Sequence, residues 1–305
     1  MDWRIKALVQ KTLASLPGGR RAHYLLQRRL GAFRKFKIDT RVHSAARLLE
    51  LLGEAGVHPA GKTMVEIGTG WAPVVPTYLH LCGAARCITY DLNRYLKEAL
   101  FRQALEQFGD WIDEIAATRP SCEADVRRRW AELVAVERME EVMRIMRLDY
   151  RAPADARQTG LGEGSVDVVF SNLVLEHVPP LVIEALFGEA HRVLNPQGGV
   201  MVHRVDPGDH FSSFDGTITR INFLRYSRRR WSFWGENGLH YQNRLRAPQY
   251  RRMAEQAGFS IIAEHNNVDP RSKEALHALK LDAEFTGFST DELCTVSYDF
   301  VARPV

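Results

Sequence analysis

The 305 residues carry 41 Lys+Arg against 37 Asp+Glu, a formal charge of +4, and 45% are hydrophobic, so the chain can bury a sizeable core and lacks the strong basic excess of a nucleic-acid binder. No apolar run reaches the roughly 18 residues of a membrane span, and the N-terminus lacks a signal peptide's apolar core and cleavage site, so a cytoplasmic protein is expected. The four cysteines, Cys82, Cys87, Cys122 and Cys294, form no Cys-x-x-Cys pair and join no His cluster, so neither a disulfide framework nor a metal site is expected.

Residues 1–58 read as a basic N-terminal helical segment. Up to residue 50, Arg4, Lys6, Lys11, Arg20, Arg21, Arg28, Arg29, Arg34, Lys35, Lys37, Arg41 and Arg47 face only Asp2, Asp39 and Glu50. That balance seeks anions. Trp3, Ile5, Leu8, Val9, Leu13 and Leu16 recur at near-helical spacing before Pro17-Gly18-Gly19, which predicts an amphipathic helix over 2–16. Such a helix packs on the rest of the chain or lies at the inner face of a membrane, so peripheral contact with anionic lipid is one expectation.

Met64-Val-Glu-Ile-Gly-Thr-Gly-Trp-Ala-Pro73 and Ile88-Thr-Tyr-Asp91 read as a strand, a glycine turn and a second strand ending in a carboxylate. Gly68 and Gly70 allow close backbone approach to a ligand, and Asp91 lies at the spacing where a carboxylate accepts from ribose hydroxyls. The dinucleotide fingerprint needs a third glycine where this chain has Pro73, so NAD fits poorly. Glu66 would repel a pyrophosphate but help to hold an ammonium or sulfonium group, which favours S-adenosylmethionine.

Residues 95–148 are too long for one crossover helix and predict a helical insertion after the second strand, with Arg127-Arg-Arg129 read as a solvated helix face. An insertion there can overhang the crevice. Asp155-Ala156 closes a short extended segment, Ser165-Val-Asp-Val-Val-Phe-Ser-Asn172 is a buried-strand run, Leu173 to Pro180 leads into a helix, and Val200-Met-Val-His203 is a further strand.

Over residues 60–205 the combination of Glu66-x-Gly68-x-Gly70, Asp91, Asp155-Ala156 and the 165–172 run resembles the class I S-adenosylmethionine-dependent methyltransferases. The resemblance implies an α/β, doubly wound Rossmann-like sheet over residues 59–305, with N-terminal helices before it. It also implies that Glu66, Gly68, Thr69 and Gly70 cradle the methionine part of the cofactor. Asp91, with Leu92 beside it, would hold the ribose, Asp155 and Ala156 would face the adenine, and Asn172 would lie between methionine and substrate. Trp71 and Ala72 depart from the usual turn.

Residues 205–250 form the acceptor-side elaboration. The carboxyl end of the 200–203 strand opens onto the crevice of such a sheet, which places Asp206, Asp209 and His210 as candidate general bases, with His177 a second base or an orienting residue. The competing role for each aspartate is a turn cap. His203 is expected to point into packing. Arg225, Arg244 and Arg246 are candidate phosphate or carboxylate binders, and Trp231, Phe233, Trp234 and Tyr241 read as core aromatics or as a stacking or subunit surface.

Asn172-Leu-Val-Leu replaces the Asn-Pro-Pro-Tyr that marks methylation of planar amide or nucleobase nitrogen. The pattern Leu16-Pro-Gly-Gly to Gly31, taken with Asp206-x-x-Asp209-His210-Phe and Tyr241 to Arg246, looks like a bacterial branch associated with surface polysaccharide or glycolipid assembly. O-methylation of a saccharide, glycolipid or other anionic acceptor is therefore expected, with a small phenol or quinone precursor as the alternative. An NAD-dependent oxidoreductase and a nucleic-acid-binding protein are the lesser readings.

Overall fold

The computed structural model describes residues 2–19, 36–118, 123–236, 239 and 241–305. Arg20, Arg21, Arg28, Arg29, Arg34, Lys35 and Cys122 lie outside the described residues, as does the 20–31 part of the polysaccharide-branch pattern.

The strands are β1 (Thr63–Ile67), β2 (Arg86–Tyr90), β3 (Leu148–Arg151), β4 (Val168–Asn172), β5 (Val200–Val205), β6 (Phe259–Val268) and β7 (Thr295–Pro304). They form one sheet in the order β3-β2-β1-β4-β5-β7-β6. Strands β1 to β5 pair in parallel, and β7 runs antiparallel to both β5 and β6. The order reverses between β1 and β4, the topological switch point where open α/β sheets bind ligands.

Side chains alternate across the sheet, as the pleat requires. Val168, Phe170, Val200 and Val202 face a layer made by helix Asp39–Glu54, helix Val74–Leu81 and the insertion, through Leu48, Leu52, Tyr78, Phe101 and Leu133. Val169, Met201 and Val205 face the opposite layer, where Ile183, Phe187 and Tyr250 come from helices Pro180–Val193 and Ala247–Gln256.

The insertion is helical, with helices Glu98–Phe108, Ile112–Ala117, Glu123–Val134 and Met139–Ile145. Arg127 pairs with Asp113 and Glu123, and Arg128 with Asp125 and Glu132, so two of the three arginines lie on an ion-paired, solvated face. The insertion's helices build core, and Tyr95, just before them, is its contribution to the crevice wall.

Helix Trp3–Ser15 is present, but its buried face is Trp3, Ala7 and Gln10, whereas Ile5, Leu8, Val9 and Leu16 are exposed. Trp3 is its anchor. The Trp3 amide donates to Asp215 Oδ2 at 3.1 Å, and its ring lies 5.2 Å from Phe211 and 5.6 Å from Trp234. This third cluster also holds Trp231 and Phe223, so part of the aromatic stretch after residue 210 is core.

Candidate active site

The site starts at the end of β1. Gly68 has φ +83° and its amide donates to Tyr90 O at 2.8 Å; a Cβ there would meet Val174 Cγ2 at 2.7 Å. Gly70 has φ +71° with nothing within 4 Å of the Cβ position, so it faces an open cradle. Both are left-handed positions that disfavour any side chain. Trp71 departs from the usual turn without spoiling it: its ring lies 5.2 Å from that of Tyr95 at a tilt of 44°, and its carbonyl accepts from Lys97 N.

Two adjoining cavities occupy the switch point. One, of about 610 Å³, is lined by Glu66, Gly68, Thr69, Gly70, Trp71, Asp91, Tyr95, Asn172, Leu173 and His177, with Thr40, Arg41 and Ser44 from helix Asp39–Glu54. The other, of about 450 Å³, is lined by Ile67, Tyr90, Asp91, Leu92, Asp155, Ala156, Val178 and Leu186. Every expected cofactor residue therefore borders one cavity or both.

Glu66 is buried, and one of its carboxylate oxygens meets no hydrogen-bond partner. Burial raises its pKa well above the usual range, and the Asp91 charge adds to this. Asp91 accepts from the Gly70 amide at 2.9 Å, while burial lifts its carboxyl to about 6. Asp155 sits in the wall, but its carboxylate is gripped by Arg157 at 2.6 Å and held below the ordinary range by that contact. Asn172 Oδ1 accepts from Arg204 Nη1 at 3.3 Å. Leu173 carries the chain out of β4 at φ +56°, a strained value for a leucine at the crevice lip.

This donor set fits S-adenosylmethionine. Arg41 can grip a carboxylate, the orphaned Glu66 oxygen an ammonium or sulfonium, Asp91 the ribose hydroxyls, and the apolar Ile67, Leu92, Ala156 and Val178 wall a purine. Thr40, Arg41 and Ser44 were not expected at the site. Their spacing on one helix face is its only sequence signal, and Arg41 was visible merely as one charge in a basic run.

On the acceptor side the candidate residues separate. Asp206 accepts from the Gly208 amide at 3.0 Å, contacts Arg220, and lies 3.4 Å from His210 Nε2. Burial pushes its carboxyl up, but His210 and Arg220 outweigh this and hold it at about 2. The His210 ring lies 5.0 Å from that of His177, whose Nδ1–H donates to Tyr241 O at 2.8 Å. His177 borders both cavities. Asp209 is elsewhere: fully buried, it accepts from Phe211 N at 2.9 Å and Asn222 Nδ2 at 3.2 Å, capping the turn His210–Ser213. That is the turn-cap role.

Arg244 and Arg246 are structural, contrary to the expected anion binding. Buried Arg246 donates to Leu293 O at 3.2 Å and to Pro207 O, and Arg244 pairs with Glu284 at 2.6 Å. Arg225 remains exposed, on a surface pocket with Arg4, Arg230 and Lys280. His203 is packed between Phe187 and Phe300, with Ser171 Oγ at 2.7 Å from Nδ1.

Among solved structures the chain is similar to an S-adenosylmethionine-dependent methyltransferase from Mesorhizobium loti, at 18% identity over 83% of this chain and 95% of that one, with a TM-score of 0.44. It is also similar to a geranyl diphosphate C-methyltransferase from Streptomyces coelicolor A3(2), at 14% identity over 86% and 77%, with a TM-score of 0.46. The PH0226 protein from Pyrococcus horikoshii OT3 matches at 14% identity over 89% and 92%, with a TM-score of 0.47. No curated protein matches the chain. The family model described as a methyltransferase domain matches residues 38–264, which takes in the glycine turn, both cavities and the acceptor-side histidines. The chain therefore belongs to the methyltransferase-domain family and is an S-adenosylmethionine-dependent enzyme.

Proposed function

We propose that the chain methylates a hydroxyl oxygen on a saccharide or lipid-linked glycan acceptor. The observation that carries this reading is the polar cluster beside the crevice: Asp206 Oδ2 lies 3.4 Å from His210 Nε2, and the His210 ring lies 5.0 Å from that of His177. A hydroxyl is a weak nucleophile until its proton leaves, and an imidazole backed by an ionised carboxylate is the group that takes it. When bound, S-adenosylmethionine supplies a methyl carbon on a sulfonium, open to in-line displacement. His177 and His210 would hold the acceptor hydroxyl beside that carbon, and one of the two imidazoles would take its proton.

Two surface features support an anionic, lipid-linked acceptor. Helix Trp3–Ser15 and the Leu16 that follows it expose Ile5, Leu8, Val9 and Leu16 beside the basic Arg4 and Lys11, and Arg4 joins Arg225, Arg230 and Lys280 around a pocket of about 520 Å³. Among the described residues no helix is long and apolar enough to cross a membrane, so contact would be peripheral.

The test is transfer of a radiolabelled methyl group to a panel of polyprenyl-linked sugars, nucleotide sugars and small phenols. Label on a sugar hydroxyl, reduced by His210→Ala, is the expected outcome. Label confined to phenols would favour the small-metabolite alternative and overturn the glycan reading.

A further inference from the structure

Beside the two histidines given to the acceptor hydroxyl lies a buried carboxylate, Glu176, that methyl transfer does not account for. Glu176, His177 and His210 each present a ligand atom, and these atoms lie within 4.8 Å of one another. Glu176 is buried, at 1% exposure, and neither carboxylate oxygen meets a hydrogen-bond partner. Burial pushes its carboxyl well above the usual range, although the amides of Glu176 and Asp206 lie near enough to draw it down without closing a hydrogen bond of good geometry. A buried carboxylate left in that state calls for a counter-charge, and unsatisfied buried groups are rare in native folds.

The turn that carries Glu176 is tied down by Asn243. The Asn243 amide donates to Glu176 O at 2.8 Å, while Asn243 Nδ2 donates to Leu175 O at 2.7 Å and Val178 O at 2.8 Å. Asn243 Oδ1 in turn accepts from Tyr250 Oη at 3.0 Å. The carbonyls of Leu175, Glu176 and Val178 are bonded while the carboxylate beside them is not. His177 shows the supporting contact common to ligating histidines: its Nδ1–H is held by a backbone carbonyl, Tyr241 O at 2.8 Å, which fixes the tautomer and puts the lone pair on Nε2.

We propose that Glu176, His177 and His210 bind one divalent first-row transition cation at the acceptor side of the crevice. Two imidazoles and a carboxylate suit such an ion. Three protein ligands leave open positions toward the crevice that His177 lines, where an acceptor oxygen can bind and lose its proton to solvent, the cation then taking over the activating role that the two imidazoles have without it. Asp206, 3.4 Å from His210, is the orienting carboxylate behind the ligand. The identity of the acceptor oxygen rests on the hydroxyl reading above, but cation binding itself does not. The cluster departs from the expectation drawn from sequence, which looked for clustered cysteines and histidines and missed a Glu-His pair and a histidine 33 residues apart in the chain.

The test is a titration of chelator-treated, untagged full-length protein with Co²⁺ alone, followed by calorimetry and by the visible absorption of the bound ion. The expected result is one Co²⁺ per chain, with affinity reduced at least about 100-fold in His177→Ala, in His210→Ala and in Glu176→Gln, which keeps volume but removes charge. Circular dichroism of the same samples reports folding of the variants, and titration of the wild-type protein with S-adenosylhomocysteine tests the methyltransferase reading separately. Failure of wild-type protein to take up Co²⁺, or equal uptake by the folded variants, would overturn the proposal.

Discussion

The Gly70 amide donates to Asp91 Oδ2 at 2.9 Å, so the glycine turn after β1 is tied to the end of β2 by the carboxylate that the ribose is expected to engage. Burial raises the Asp91 carboxyl to about 6, against the pull of the Gly70 and Thr69 amides. Ribose hydroxyls donate best to the ionised form. Affinity for S-adenosylhomocysteine should thus hold above pH 7 and fall about tenfold by pH 5, as the carboxylate protonates. Stability of the ligand-free protein has the opposite sign: the contribution of this raised group is complete below the ordinary carboxylate range and is lost as pH rises through about 6. Calorimetry at several pH values checks the first statement, and Asp91→Asn should flatten the profile.

Gly68 and Gly70 should respond differently to alanine. Gly68→Ala meets both a left-handed backbone and Val174 Cγ2 at 2.7 Å, whereas Gly70→Ala meets only the backbone cost, about 1–2 kcal/mol. Overpacking adds roughly 1–3 kcal/mol at Gly68. Thermal unfolding should therefore show the larger loss for Gly68→Ala, partly restored by adding Val174→Ala. Gly70→Ala should weaken cofactor binding more than it lowers the melting temperature.

Asp209 gives a stability prediction separate from catalysis. Burial raises its carboxyl to about 6, despite its bonds from Phe211 N and Asn222 Nδ2. The contribution of a raised group is full below the unfolded value and lost as pH rises through the folded one, on the order of 3 kcal/mol in all. Chemical denaturation from pH 4 to 7 should show Asp209→Asn gaining on wild type over that window. A constant difference would show that Asp209 does not titrate there.

Asn243 braces the turn that presents His177. Asn243→Ala leaves Leu175 O, Val178 O and the Tyr250 hydroxyl without their partner, at a cost of about 2–4 kcal/mol. Because Asn243 touches neither cavity of the cofactor cradle, turnover should fall at least about tenfold while affinity for S-adenosylhomocysteine changes little. Steady-state kinetics beside a binding titration separates the two effects.

Strands β1, β2, β4 and β5 were legible because each is a short, largely apolar run closed by a turn or a charged residue, whereas β3, Leu-Asp-Tyr-Arg, gives little apolar signal. Boundaries shifted: the third strand is Leu148–Arg151, ending before Asp155, and β4 begins at Val168 and not Ser165. Strands β6 and β7 were missed. Strand β6 is an edge strand with a mostly solvated run, Glu264-His-Asn-Asn267, which gives no apolar signal. On the acceptor side, residue type alone did not separate a base from a cap or an anion binder from a brace. Asp206 and Asp209 differ only in which partners the fold gives them, Arg220 and His210 for one and a buried turn for the other. The burial of Arg246 beneath Leu293 and Pro207 likewise depends on residues far away in the chain.

The most direct test of the account is calorimetric titration of wild-type protein and Asp91→Ala with S-adenosylmethionine, S-adenosylhomocysteine and NAD. Micromolar binding of the first two by wild type, none of NAD, and a loss of at least about tenfold in Asp91→Ala is the predicted result. Binding of NAD, or equal affinity of wild type and Asp91→Ala for S-adenosylhomocysteine, would contradict the assignment of the switch-point crevice to this cofactor.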